Sequence, residues 1–301
     1  MASDAVYVEA RIDCSLERLW ELTQDPAAHR RWDLRFSRIE YLPRADDEPQ
    51  RFLYERSVLP WLTVRGWGET TGERFERDGA AASALAFGSD QRRSLIRSGS
   101  GYWRYESGER GVRFVTRYDY EPRWGAIGRL VDRLAFRRLL GWATAWSFDR
   151  LRLWLEESVS PERSLRSAQV HAVAAGALSA AWLYQGAVPK LLVRDAGEIE
   201  LLRRSGLVRG REEHVLAAVG LSEVCLALAV LTRADRRWPW TANFVVLPLL
   251  AAGALESDRG VFARPFNPGS LTLAMLGLAA VGGLTRADRP SARRCAREPS
   301  E

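Results

Sequence analysis

The sequence predicts two unlike halves: an α+β fold over residues 1–157 and an all-α bundle of four transmembrane helices over residues 168–285. Three observations predict this. Charge is unevenly placed, with 51 of the 82 Asp, Glu, Lys and Arg residues in 1–160 and the rest in short clusters between uncharged runs. The first half alternates apolar and polar residues at the period of a strand. The second half holds four apolar runs, each near the roughly 17–25 residues that a spanning helix needs.

Composition excludes several classes. With 47% hydrophobic residues and 12 Trp the chain is not disordered. Cys14, Cys225 and Cys295 are scattered without CxxC spacing, so it is not a disulfide scaffold. Formal charge is +6, of which +1 falls in residues 1–160 and +5 in 161–301. The basic excess thus sits beside the apolar runs, where it sets membrane topology and meets anionic lipid. No basic stripe or recognition motif accompanies it, so no nucleic-acid partner is expected. The start MASDAVYVEARIDCSLERLW lacks a basic segment followed by an apolar one, so no secretory signal is expected.

In the first half, AVYVEARID (5–13) is an alternating strand. Ser15 caps a helix over SLERLWELTQ, with Leu16, Leu19 and Trp20 on one face. DPAAHRRWD gives a second short helix, with Pro26 at a tolerated early position. About six alternating segments follow, from FSRIEYL to GVRFVTRYDYE, separated by Gly, Asp, Pro and Ser. One long helical pattern closes the half, roughly 124–157. This order of elements is that of a helix-grip fold, in which a curved sheet wraps the last helix.

In the second half the helices are expected at about 168–189, 214–231, 238–255 and 268–284. A linker over 158–167 and a basic cytoplasmic tail over 286–301 complete the chain. The runs are rich in Gly and Ala, which lets spanning helices approach closely. A soluble bundle would need polar faces at helical spacing, and the fourth run has only Ser270 and Thr272 near its start. With the N-terminus inside, 12 Arg flank the runs on the inner side and seven on the outer, so both termini are expected in the cytoplasm of a multi-pass cell-membrane protein. Trp238 and Trp240 flank the third run as interfacial anchors.

Both halves resemble known families. VEARIDCSLERLWELTQDPAAHRRWD, at the head of residues 1–157, is similar to the start of bacterial members of the START-like superfamily, which includes polyketide cyclases and lipid-transfer domains. The resemblance implies a cavity for an apolar or aromatic small molecule, with catalysis in only some members. WLYQGAVPKLL (182–192), E-x-x-LL-x-x-SGL (198–207), GLSEVCLALAVL and PFNPGSLTLAML (265–276) resemble the DoxX-like family of small four-helix membrane proteins. That family implies links to quinone-dependent sulfur oxidation and membrane oxidoreductase complexes. Carried onto this chain, its motif residues are Trp182, Tyr184, Gln185, Gly186, Pro189, Lys190, Glu223, Pro265, Asn267 and Pro268.

Candidate residues follow. Trp67, Phe114 and Tyr118, with Leu134 and Trp142 of the closing helix, are expected to line the cavity; a core filled by rings is the competing reading. His29 reads as a helix-end surface residue, with Asp33 and Glu55 as possible partners. Cys14 reads as structural. Glu223, near the middle of the second run, must be protonated, paired or facing a wet cavity, and His171, His214 and Lys190 are candidate partners. Lys190 is the only Lys among the basic residues. Tyr184, Gln185, Lys190, Glu223 and Asn267 form the candidate membrane site, and no metal site is expected. Three functions remain open: a membrane-anchored protein binding a hydrophobic small molecule or lipid, a component of a membrane oxidoreductase system contacting quinone or another redox partner, and a scaffold without a ligand. No cofactor is identified.

Overall fold

A computed structural model describes residues 5–299 apart from 46–47, 60, 77–78, 207, 209 and 266. The motif residues Leu207 and Phe266 therefore lie outside the described residues. The chain forms two compact units, residues 1–165 with 290–301, and residues 166–289.

In the first unit seven antiparallel strands form one sheet in the order β1-β7-β6-β5-β4-β3-β2. They are β1 (Val6–Ile12), β2 (Arg38–Tyr41), β3 (Arg51–Leu59), β4 (Leu62–Phe75), β5 (Ala80–Gly88), β6 (Ile96–Gly108) and β7 (Gly111–Pro122). The order arises because β1 pairs with the last strand, while β2 to β7 follow one another as hairpins. Helices α1 (Leu16–Gln24) and α2 (Pro26–Trp32) fill the crossover between β1 and β2. Ser15 caps α1 by accepting from Arg18 N, and Asp25 caps α2 by accepting from Ala27 N and Ala28 N. The sheet with its closing helix resembles helix-grip folds.

The closing helix is not uniform. It runs as α3 (Gly125–Val131), a π-helical turn (Asp132–Phe136) and α4 (Arg137–Glu156). Alternation along β1 and β7 directs Val8, Ala10 and Ile12, and Phe114, Thr116 and Tyr118, to the side where α4 lies. There Phe148 stacks on Phe114 with ring centroids 4.3 Å apart, and Phe114 stacks on Tyr105 at 4.9 Å. Ala145, Phe148 and Leu151 of α4 are fully buried.

The expected linker over 158–167 is mostly helix. After α4, Ser158 turns the chain at φ 54, and α5 (Pro161–Gln185) begins at once. The residues that read as a linker act as a helix start: Ser160 Oγ accepts from Arg163 N, Pro161 takes the first helical position, and Glu162 pairs with Arg31 at 2.8 Å. The tail also departs from expectation. Residues 290–301 belong to the first unit. Ala296 exchanges two backbone hydrogen bonds of 2.9 Å with Glu9 on β1, and Asp149 of α4 accepts from Ser291 N and Arg294. The tail thus covers part of a sheet edge that would otherwise present unpaired backbone groups.

The second unit contains α5 from Arg166 onward, α6 (Ala196–Ser205), α7 (Glu212–Thr232), α8 (Trp238–Ser257) and α9 (Pro268–Thr285). From Gly186 to Val193, α5 continues as a π-helical stretch that contains Pro189. A Pro lacks the N–H of a regular turn, and the wider turn absorbs that defect. The first helix therefore begins earlier and ends later than the expected 168–189. Among the described residues α7, α8 and α9 are long and apolar enough to cross a membrane; α5, diluted by Gln169, His171 and Ser179, does not reach that standard. Ala175, Leu178, Trp182, Ala227, Val230, Trp240, Leu247, Met275 and Ala279 pack together inside the unit. Most other large apolar side chains face outward, as in a bundle solvated by lipid.

Candidate functional site

In the second unit the sequence candidates converge at one helix crossing. Gly186 and Gly220 face each other so closely that a Cβ on Gly186 would lie 2.5 Å from the Gly220 carbonyl oxygen. Only backbone fits there, and one turn further along each helix Lys190 meets Glu223. Lys190 Nζ lies 3.1 Å from Glu223 Oε2, 3.5 Å from Glu198 Oε1 and 3.2 Å from the Gln185 carbonyl oxygen, to which it donates. Lys190 and Glu223 are buried, and Glu198 is one-third exposed. The three groups make an ionic run from the interior towards the surface.

Of Glu223's candidate partners the structure selects Lys190. His171 instead shares a hydrogen bond between Nδ1 and the Gly282 carbonyl oxygen, 2.9 Å apart. Gln185 enters through its backbone carbonyl. Tyr184 is 62% exposed on the outside of α5. Asn267 caps α9, accepting from Ser270 N and donating to the Arg264 carbonyl oxygen. Sequence reasoning missed Asn243, fully buried on α8, which accepts from Trp182 Nε1 at 2.7 Å and donates to the Pro239 carbonyl oxygen. Its signal was one amide in the otherwise apolar run ANFVVL.

In the first unit the expected lining divides. Phe114 and Tyr118 lie inside, on the face towards α4. Trp67 lies on the opposite face: its register partners are Leu53 and Gly88, whereas Gly66 and Gly68 point inward beneath the rings of Tyr54 and Phe52. Leu134 and Trp142 are 60% and 41% exposed, and the helix turns Asp132, Thr144 and Ala145 inward instead. The sheet already supplies the bulky rings Tyr118 and Tyr120 opposite these positions, which leaves room only for small or polar helix residues.

His29 is not a surface residue. It is buried, stacked on Trp32 at 4.9 Å, with Nε2 3.1 Å from Asp33 Oδ2. Burial holds the imidazole below its ordinary range despite the carboxylate. Arg35 grips the same carboxylate through Nε and a terminal nitrogen, the latter at 2.6 Å. Burial opposes the ionised Asp33, but the guanidinium and His29 hold its pKa far below the usual carboxylate range. Glu55, the other suggested partner, pairs with Arg65. Burial and the Glu156 charge push the Cys14 thiol up to about 11, as for an inert structural cysteine.

The inner face is unevenly covered. At the β1–β7–β6 end Trp103, Tyr105 and Phe114 are buried and packed ring to ring. At the β3–β5 end Phe52, Tyr54, Leu85 and Phe87 share the inner face but are only half-buried. Phe36 lies against Tyr54 there, and Arg35 stands over the Tyr118 ring. Sequence reasoning missed this end because alternation alone does not say which part of an inner face a helix covers.

Comparison with known proteins bears on each half. Residues 179–280 match the model of the DoxX-like family. The uncharacterized membrane protein YndG of Bacillus subtilis (strain 168) is 44% identical over 227 residues, which span 72% of this chain and 85% of that protein. Among solved structures, TTHA0849 of Thermus thermophilus is similar over 46% of this chain and 86% of its own, with 20% identity and a TM-score of 0.35. The di-domain ARO/CYC StfQ from the steffimycin biosynthetic pathway is similar over 51% of each chain, with 12% identity and a TM-score of 0.40. With its three apolar helices, the matched family segment and a relative of this length and identity, the chain belongs to the DoxX-like family and is a membrane protein.

Proposed function

We propose that the protein is a membrane-anchored binder of a hydrophobic small molecule, which its N-terminal unit takes at the β3–β5 end of the inner face. One observation carries this reading: Phe36, Phe52, Tyr54, Leu85 and Phe87 form a ring-rich, half-buried wall beside an otherwise filled core. Such a wall receives an apolar or aromatic guest, and Arg35 and the Tyr54 hydroxyl offer polar groups to orient it. Native mass spectrometry of the full chain, purified in mild detergent, tests this. One retained small organic molecule is expected, released on activation and absent from Leu85→Trp, which fills the wall. A wild-type chain that carries no adduct defeats the reading.

We further infer four membrane crossings with both ends of the chain in the cytoplasm. Support comes from connectivity. Residues 165 and 290 belong to one folded unit, which favours a chain that leaves and returns on the same side after an even number of crossings. Among the described residues three helices qualify by composition, and α5 supplies the fourth. The larger Arg count on the inner flanks favours the cytoplasm.

A second reading, a component of a membrane oxidoreductase system contacting quinone, draws on the Glu223–Lys190–Glu198 run, since intramembrane ionisable groups mark proton paths. Quinone reduction in membranes, wild type against Glu223→Gln, separates the two. Unchanged turnover removes Glu223 from any relay.

A further inference from the structure

The helix that leads into α4 is built inside out. Towards the sheet, α3 and its π turn present Gly128 and Asp132, both buried. A Cβ at Gly128 would run into the Arg123 carbonyl oxygen, so no side chain fits where the helix leaves the turn after β7. Asp132 accepts from the Tyr120 hydroxyl and from Arg137 Nε, and Arg137 also holds Asp119 at 2.8 Å. The outward side carries Trp124, Ile127, Leu130, Val131, Leu134 and Leu139, with Ile127 72% exposed. A helix of a soluble domain shows the reverse order, apolar inward and polar outward.

Charge identifies what covers this face. Arg129, Arg133 and Arg138 are exposed on the same segment, and the only acid between residues 124 and 142 is the buried, paired Asp132. An apolar face bordered by arginines, with Trp at its edge, is the pattern of a helix lying in the headgroup region of an anionic bilayer. A second copy docked on this face in a symmetric pair would set the same arginines against each other. The N-terminal unit also continues directly into the helical unit at residues 165–166 and 289–290, which keeps a bilayer within reach.

We propose that residues 124–142 form an interfacial helix that seats the N-terminal unit on an anionic membrane surface. This does not depend on the ligand reading above. The apolar side chains enter the headgroup–acyl boundary, and the three arginines meet lipid phosphates.

The test uses the full chain, with Cys14→Ser, Cys225→Ser and Cys295→Ser, reconstituted at one copy per lipid nanodisc. An environment-sensitive fluorophore is attached at Ile127→Cys, Leu134→Cys or, as a control at the distant β6–β7 turn, Glu109→Cys. In phosphatidylglycerol discs the labels at 127 and 134 are expected to be quenched by lipid-borne nitroxides and shielded from an aqueous quencher, and the label at 109 the opposite. In pure phosphatidylcholine discs, or with Arg129→Gln/Arg133→Gln/Arg138→Gln, the protection at 127 and 134 should fall at least several-fold. Labels at 127 and 134 as open to aqueous quencher as 109 would overturn the proposal. So would protection that is equal in both lipids, or that appears only in discs holding two copies.

Discussion

Lys190 Nζ stands 3.1 Å from Glu223 Oε2 because Gly186 and Gly220, one turn away, let their helices meet backbone to backbone. The charged pair and the glycine pair are one device. The glycines permit the approach, and the ions occupy the space that opens beside it.

The crossing therefore tolerates no added bulk. Gly220→Val places a Cβ 2.8 Å from both the Gly186 carbonyl oxygen and Lys190 Cβ, and is expected to destabilise the protein by about 1–3 kcal/mol through overpacking. Gly277→Ala, whose Cβ would meet nothing within 4 Å, should leave stability unchanged. Thermal unfolding in detergent checks the contrast, and equal loss in both variants would contradict it.

Breaking the ion pair should hurt more than replacing it. Glu223→Leu leaves the Lys190 ammonium buried beside one partly exposed carboxylate, and should destabilise by about 3–5 kcal/mol. Lys190→Met/Glu223→Leu removes both charges and should lie within about 1 kcal/mol of wild type, or above it. A double variant as unstable as the single one would mean that the pair itself, not the avoidance of a lone charge, holds the crossing.

Acid should weaken the first unit in two stages. His29 has a folded pKa held below its ordinary 6.5, so the unfolded chain binds the extra proton first and stability falls as pH drops below about 6.5. Asp33 is likewise held down in the fold, so its contribution is complete above its ordinary 3.8 and is lost as pH falls from there. Unfolding followed across pH 7 to 3 should show both stages, and His29→Gln should abolish the upper one while a lower one, held by Arg35, remains. An unchanged upper stage in that variant would assign it to another group.

The returning tail depends on Asp149. Its carboxylate accepts from Ser291 N at 2.7 Å, Arg294 at 3.1 Å and Arg152 at 2.7 Å. Asp149→Ala should free the tail at a loss of about 2 kcal/mol in these charged hydrogen bonds. Hydrogen exchange at the Glu9 and Ala296 amides, which bond each other's carbonyls, should then speed up by about 30-fold. Unaltered exchange would show that the strand pairing holds by itself.

Period and composition alone determined that one half alternates and the other is apolar, that Ser15 opens a helix and a second short one follows with Pro26 near its start, and that Glu223 and Lys190 are anomalies in an apolar setting. These are local properties, written in the spacing and type of neighbouring residues. Only the tertiary structure decided that Lys190 is Glu223's partner, that Trp67 faces away from Tyr118, that His29 is buried on Asp33, and that the last residues return to β1. Each of these joins residues distant in sequence or rests on which face of the sheet a strand shows to the core. Pairing register and close packing set those relations, and one strand or helix read alone carries no record of either.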